Sequence, residues 1–226
     1  MYVRSENADQ HIRRTGERVK DAITKHEQFL SSLKDDSDWA FVIKIHAFLE
    51  SLITSLVNSH SGEFRLGAIA PRLPMNSSDG ICKLELVKAN QLLSSEQMRF
   101  IRSLGEVRNQ LAHDVCMVEA FSFDEYIGRL DSNQKKNWKR DLTYYAVEDP
   151  SRHFPEAAIT EPRVTIAEAL LDLICTIEGS IVLVAMIKEG DDIAKEDTKQ
   201  LIDSFIATTG AEVETSTNSD DLCSDS

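Results

Sequence analysis

The spacing of the apolar residues is the feature that most constrains this fold. In residues 39–58 they recur every three or four positions, which is the period of a helix with one buried face. The same period returns in residues 98–111 and 166–187. No segment shows the apolar–polar alternation that a half-buried strand requires. The sequence therefore predicts an all-α protein, a bundle of helices.

Residues suited to helix N-caps precede each of these segments. Asp38 can cap the first of them, and Ser94 and Thr165 each begin the pattern of a capping box. We expect the helix that starts at Thr165 to end at Gly190, because glycine commonly follows the last helical residue. A separate last helix is expected over residues 193–207.

The chain is predicted to have three parts. Residues 1–36 form an amphipathic helical arm that packs on the domain or on a partner, and residues 37–207 form the helical domain. An irregular insertion is expected at about 121–162 within that domain. Residues 208–226 are polar and acidic, a composition typical of disorder. The apolar stripe of the arm comprises Ile12, Val19, Ile23, Leu30 and Leu33.

The negative charge of the protein is concentrated near its C-terminal end. The 226 residues carry a net charge of −13. From Glu189 onward there are eleven acidic and two basic residues, so the rest of the chain carries a net charge of only −4. Such a balance neither favours nor excludes nucleic acid as a partner.

Cysteine usage and hydropathy indicate a cytoplasmic protein. The four cysteines lack C-x-x-C spacing, a pattern typical of a reducing compartment rather than of a zinc site or a disulfide framework. The N-terminus is polar, and the apolar stretch 166–187 contains Asp172 and Glu178, which favours a buried bundle helix over a membrane span. We expect no metal, no cofactor and no membrane partner.

An arginine and a histidine at the end of the second predicted helix carry the strongest chemical signal. Arg108 falls on the apolar face, where a guanidinium needs either carbonyls at a neighbouring helix end or a bound anion. His113 follows five residues later, a rotation of about 140° and a rise of about 7.5 Å on a straight helix. The two converge only if the helix ends before His113, or if two copies of the chain share one site across a two-fold axis.

These residue types suit phosphodiester chemistry without a metal. Arg108 can hold a phosphate group through two hydrogen bonds, and His113 can move protons near neutral pH. Asn109 lies four residues before His113 and shares its helix face, so the two side chains can hydrogen-bond.

Two further groups have both a functional and a structural interpretation. A basic run around one tryptophan could bind RNA phosphates while Trp138 stacks on a base, or it could be a solvated helix end anchored by that tryptophan. His46 and Glu50 are four residues apart and could face one side of a helix, where a structural pair is the favoured interpretation. The basic run comprises Lys135, Lys136, Trp138, Lys139 and Arg140.

The pattern Arg108-Asn109…His113 resembles the signature of the HEPN superfamily. The resemblance implies an up-down helical bundle that works as a homodimer and cleaves RNA without a metal, through attack of the ribose 2′-OH. Arg108 would stabilise the phosphate charge, His113 would act as acid or base, and Asn109 and Asp114 would orient them. Members include toxins and antiviral effectors. Val115 stands where toxins paired with nucleotidyltransferase antitoxins have a tyrosine, so neither the role of those toxins nor their modification by the antitoxin is expected here.

A wider stretch, residues 39–114, is similar to the mannitol operon repressor family. The shared order is an apolar helix, a linker with two prolines, a short helix, and a helix ending in arginine and His-Asp. This similarity implies a non-catalytic transcriptional regulator or protein-binding module. Its arginine and histidine would belong to the fold or to a dimer interface, and its partner would be a regulatory protein.

Overall fold

The computed structural model describes residues 5–60, 70–77, 80–112, 120–146 and 155–217, and every regular element in these ranges is helical. The prediction of an all-α bundle is confirmed. The α-helices are α1 (Ser5–Thr24), α2 (Glu27–Ser32), α3 (Asp38–His60), α4 (Lys83–Ala89), α5 (Ser95–Ala112), α6 (Phe123–Arg129), α7 (Ser132–Leu142), α8 (Ala157–Thr160) and α9 (Pro162–Thr217).

The chain divides into two compact units, of which Arg4–Leu183 contains the bundle. In it α3 packs against α4 and α5, and α7 packs against α5 and α8. The second unit contains the residues from Val184 onward, and residues 191–204 in it are all exposed. The core residues Leu49, Ile53, Leu56, Phe100, Leu104 and Leu170 are all at most 1% exposed.

The α3 helix has the predicted extent but a different N-cap. The Ser37 hydroxyl accepts a hydrogen bond of 3.3 Å from the Ala40 amide, which is the role that the sequence assigned to Asp38. The Asp38 carboxylate instead accepts the Phe123 amide at 2.9 Å and pairs with Arg163 at 3.0 Å. Asp38 thus ties the start of α3 to α6 and α9.

The α5 helix begins with the predicted capping box. The Ser94 amide donates to Gln97 Oε1 at 3.0 Å, and the Gln97 amide donates to Ser94 Oγ at 3.1 Å. Just before it, Gln91 follows the C-cap of α4 and has a φ of 53°, in the left-handed region. The bonds from Leu92 N to Val87 O and from Gln91 N to Lys88 O form a Schellman motif there.

The α9 helix differs from its prediction at both ends. It begins at Pro162, because proline fits the first helical position, and the Thr165 hydroxyl donates to the Glu161 carbonyl instead of capping a helix. The predicted capping box at Thr165 is therefore wrong. Gly190 does not end the helix, since one glycine costs only about 1 kcal/mol and no proline follows.

The single helix to Thr217 also replaces the separate helix expected over residues 193–207. Residues 208–217, which the sequence assigned to the acidic tail, belong to this helix, and residues 218–226 lie outside the described residues. The apolar period of residues 166–187 predicts an inward face of Ile166, Leu170, Leu173, Ile177, Ile181 and Val184; the first four are fully buried, and Ile181 and Val184 are half-buried.

Two described helices, Asp38–His60 and Pro162–Ser204, are long and apolar enough to cross a membrane by length and composition alone. This is weak evidence, because core helices of folded domains satisfy the same two criteria. In α3 the apolar residues supply the interior of the bundle, and eight of them are buried there.

The N-terminal arm packs on the bundle through its second half. Ile12 is 70% exposed, whereas Ile23 and Leu30 pack against the core and Leu33 is buried. Phe29 stacks on Phe48 of α3, with ring centroids 4.3 Å apart.

Polar contacts fix the same end of the arm to α9. The buried Glu178 carboxylate lies 2.7 Å from His26 Nε2 and 2.8 Å from Lys25 Nζ. The Arg163 guanidinium donates to the carbonyls of Leu33 and Asp36, each at 2.6 Å. The arm is therefore part of the bundle unit.

The predicted irregular insertion contains regular structure. The helices α6 and α7 occupy much of it, followed by a 3₁₀ turn, Tyr144–Ala146, and the short α8. A complete capping box at Asp131 starts α7, since the Asp131 carboxylate accepts the Gln134 amide and the Gln134 side chain accepts the Asp131 amide. The prediction of irregular structure is wrong for these helical residues.

Candidate functional site

Arg108 faces a cavity of about 280 Å³ bounded by α3, α5 and the segment that precedes α4. It lies at the edge of the apolar face, and the adjacent Val107 fills the buried position instead. The prediction that Arg108 lies along the core stripe is therefore only approximate, because the stripe centres on Leu104, Val107 and Leu111. The half-buried guanidinium forms no ion pair with any described residue; it donates one hydrogen bond, 3.2 Å long, to Asn109 Oδ1.

His46 of α3 faces the same cavity. Burial lowers the pKa of its imidazole below 6.5, the nearby Arg108 charge lowers it further, and Glu50 opposes the shift. A neutral imidazole with a free lone pair is the form that accepts a proton. Opposite it, a Cβ added to Gly105 would lie 3.8 Å from His46 Nε2, so the missing side chain leaves that ring nitrogen uncovered on the α5 side.

Glu50 forms the acidic edge of this cavity, one turn after His46. Its carboxylate accepts a hydrogen bond of 2.8 Å from Lys83 Nζ, at the start of α4. The Lys83 side chain is 2% exposed and the Glu50 side chain 43%, so the buried ammonium is neutralised by a carboxylate that still meets solvent. The sequence favoured a structural interpretation of His46 and Glu50, and the structure places both beside Arg108.

Asn109, the residue predicted to support the site, is exposed and lines the same cavity. His113 and Asp114 follow the end of α5 and lie outside the described residues. The convergence of Arg108 with His113, and the hydrogen bond between Asn109 and His113, therefore remain predictions.

The basic run lies on α7, where its residues have different environments. Lys135 is half-buried and Lys136 exposed, and both line a shallow cavity of about 370 Å³. Lys139 pairs with Glu156 at 2.6 Å, and Arg140 pairs with Asp141 at 2.8 Å.

Trp138 is 4% exposed, and its indole N–H donates to the Ala158 carbonyl at 2.9 Å. The prediction that Trp138 stacks on a base is therefore wrong, because the ring is buried and packs against Phe123 and Tyr126. The alternative interpretation, a helix anchored by its tryptophan, describes α7 correctly.

A third cavity, of about 360 Å³, lies between α5, α6 and α7. At its base the Asp141 carboxylate accepts a hydrogen bond of 2.9 Å from Ser103 and lies 3.3 Å from Arg99 Nε. The Tyr126 ring also lines it, and burial, followed by the nearby Glu106 charge, raises the pKa of the phenol.

The Arg108 cavity has the chemistry of an anion site next to a proton acceptor. The guanidinium can form two parallel hydrogen bonds to a phosphate or carboxylate, and the neutral imidazole can accept a proton from a bound hydroxyl. Within the described ranges, no three His, Cys, Asp or Glu side chains form a group that could hold a metal ion.

Sequence reasoning missed the pairing of Arg108 with His46, and it missed Arg102, which also lines the cavity. The only sequence signal for His46 is its spacing from Glu50, which does not distinguish a site from a structural pair.

The fold and the site define a helical bundle with a cavity lined by an imidazole, two arginines and two glutamates. Comparison with family models, with curated proteins and with solved structures gives no match to this chain.

Proposed function

We propose that this protein is a metal-independent endoribonuclease. The observation that supports the proposal is the half-buried Arg108, which has no described ion-pair partner and shares a cavity with the neutral imidazole of His46. A phosphodiester offers the anion for the first group and the adjacent ribose 2′-OH offers the proton for the second.

In the proposed reaction Arg108 binds the non-bridging phosphate oxygens. His46 accepts the 2′-OH proton as the 2′ oxygen attacks phosphorus, and the bond from phosphorus to the 5′ oxygen breaks. His113 donates a proton to that leaving oxygen, which leaves a 2′,3′-cyclic phosphate and a free 5′-OH. Asn109 and Asp114 orient these groups. Growth inhibition, as a toxin or antiviral effector, is the cellular role consistent with such an activity.

The test is cleavage of a labelled single-stranded RNA with and without EDTA. We expect cleavage that resists EDTA and produces cyclic phosphate ends. Arg108→Ala, His113→Ala and His46→Ala should each lower the rate at least 100-fold, the usual contribution of one acid, base or charge-stabilising group. The control variant is Arg129→Ala, which removes an exposed arginine of α6 paired with Glu125.

Retained circular dichroism and thermal stability would show that the variants fold. Full activity in Arg108→Ala would refute the proposal, as would activity that disappears with EDTA. Activity that is lost in His113→Ala but kept in His46→Ala would show that Arg108 and His113 act without His46.

A second candidate function is a non-catalytic regulator or protein-binding module. The observation that favours it is the exposure of large apolar residues in the bundle part of α9, where Val164, Leu171 and Leu183 are each at least 41% exposed. Val164 and Leu171 are seven residues apart and so share one face of the helix, and exposed apolar residues grouped on one face are typical of a protein–protein contact.

Both candidates are expected to be homodimers, in the first case with a shared site. Light scattering of the wild type and of Leu171→Glu measures this directly. A dimer that dissociates in Leu171→Glu, together with an absence of RNA cleavage, would favour the module. A wild type that is monomeric at all concentrations would exclude the shared site.

A further inference from the structure

Three cavities of the bundle unit adjoin one another through shared lining residues. Arg102 and Glu106 line both the Arg108 cavity and the cavity between α5 and α7. Arg140 lines that cavity and also the shallow one on α7 that contains Lys135. The surface, which we name the α5–α7 track, therefore leads from the α7 lysines across Arg102 to Arg108.

The α5–α7 track is basic although the protein is acidic. Its walls contain seven basic and three acidic residues, against a net charge of −13 for the whole chain. The acidic residues are Glu50, Glu106 and Asp141, and two of them are bound within the protein. Glu50 accepts Lys83, and Asp141 accepts Ser103 and Arg140.

Several cations of the track form no ion pair with any described residue. Arg102, Lys135 and Lys136 form no ion pair in the part of the chain that the structure describes, as is also true of Arg108. Arg102 and Arg108 are six residues apart on α5, a rise of about 9 Å. Unpaired cations spaced along a groove suit successive phosphates of one strand better than one small anion.

An aromatic ring lies between the two ends of the track. Tyr126 is half-buried and lines the central cavity, with its ring held against Trp138 at 5.4 Å between centroids. A ring in this position can contact an RNA base through its edge or its face. The sequence had suggested Trp138 for this contact.

We propose that the α5–α7 track binds the backbone of single-stranded RNA and leads it to the Arg108 cavity. This inference rests on the proposed ribonuclease function for the choice of RNA. The α7 lysines bind phosphates several nucleotides from the bond that is cut, so they determine affinity for long substrates and do not touch the reacting atoms. Arg102, which also lines the Arg108 cavity, binds the strand next to the reacting phosphate.

The first experiment measures binding apart from cleavage. Fluorescence anisotropy is recorded with a labelled 12-nucleotide 2′-O-methyl oligouridine, which lacks the attacking hydroxyl. The variants are Lys135→Glu/Lys136→Glu and Arg102→Glu, and the control is Lys195→Glu/Lys199→Glu, which makes the same change in charge at exposed lysines of the second unit.

We expect the double track variant to bind at least tenfold more weakly, and the control to bind within twofold of the wild type. The slope of log K against log salt should fall by about 1.4 in the double variant, since each phosphate contact on a single strand contributes about 0.7. Equal weakening in the track and control variants would overturn the proposal. Displacement of the RNA by polyglutamate at equal charge concentration would also overturn it, because the surface would then fit an acidic protein.

The second experiment separates this proposal from the ribonuclease function. A diribonucleotide reaches only the Arg108 cavity, so Lys135→Glu/Lys136→Glu should cut it at the wild-type rate while its KM for a 12-mer rises. A second outcome is that the wild type cuts neither substrate while the track variants lose RNA binding. That outcome would support the track as an RNA-binding surface and refute the ribonuclease function. Cleavage of the 12-mer with unchanged KM in the track variants would refute the track alone.

Discussion

Replacing Gly105 with alanine tests both the helix packing and the site. Gly105 lies in the interior of α5, at a position where a Cβ would meet only His46 Nε2, at 3.8 Å, an ordinary van der Waals distance. The new methyl group therefore fits without displacing a neighbour. Alanine is favoured over glycine inside a helix by about 0.8–1 kcal/mol. We expect Gly105→Ala to raise the free energy of unfolding by about 1 kcal/mol, which raises Tm by about 2–4 °C in a protein of this size.

The assay is urea and thermal unfolding, with Gly179→Ala as the matched control. Gly179 is in the interior of α9, and a Cβ there meets nothing within 4 Å, so it reports helix propensity alone. The methyl group at position 105 also covers His46 Nε2, so RNA cleavage by Gly105→Ala should fall although its stability rises. A loss of more than about 1 kcal/mol in Gly105→Ala, beside a gain in Gly179→Ala, would show that α3 and α5 lie closer together than described.

Three further predictions follow from the contacts. Gln91→Gly should raise the free energy of unfolding, measured in urea, by about 1 kcal/mol, because Gln91 has a φ of 53° that glycine adopts without strain. Trp138→Ala should lower the free energy of unfolding by about 3–5 kcal/mol in the same assay. A decrease of less than about 0.5 kcal/mol would contradict the burial of the indole. Arg108→Ala should raise the pKa of His46, because the Arg108 charge lowers it in the wild type. An NMR titration of the His46 imidazole measures this change. Since the folded-state pKa lies below 6.5, the wild type should lose stability as the pH falls through 6.5, and Arg108→Ala should lose less. An unchanged titration would place the guanidinium away from the imidazole.

Sequence patterns correctly predicted the features of the fold that depend on contacts between residues close in sequence. The period of α3 and the box of Ser94 and Gln97 depend on residues within one or two turns, and both agree with the structure. The errors at Asp38 and Thr165 have the same local origin, because a better N-cap, Ser37, and a better first residue, Pro162, stand just before them.

The burial of Trp138 and the meeting of His46 with Arg108 depend on contacts between distant segments, which the sequence pattern does not reveal. Trp138 inside a basic run has the same pattern whether it faces solvent or the core, and its burial depends on the Ala158 carbonyl twenty residues later. His46 and Arg108 are 62 positions apart, so no spacing rule connects them, and only the packing of α3 on α5 brings them to one cavity.

The contacts of Arg163 have a consequence for shortened forms of the protein. Its guanidinium binds the carbonyls of Leu33 and Asp36 and lies 4.6 Å from the centre of the Phe41 ring. Removal of residues 1–36 as a dispensable extension would leave this cation with the Asp38 carboxylate and the Phe41 ring but without its carbonyl acceptors. Such a truncation should loosen the start of α9 as well, and faster amide hydrogen exchange in its first turns would record that coupling.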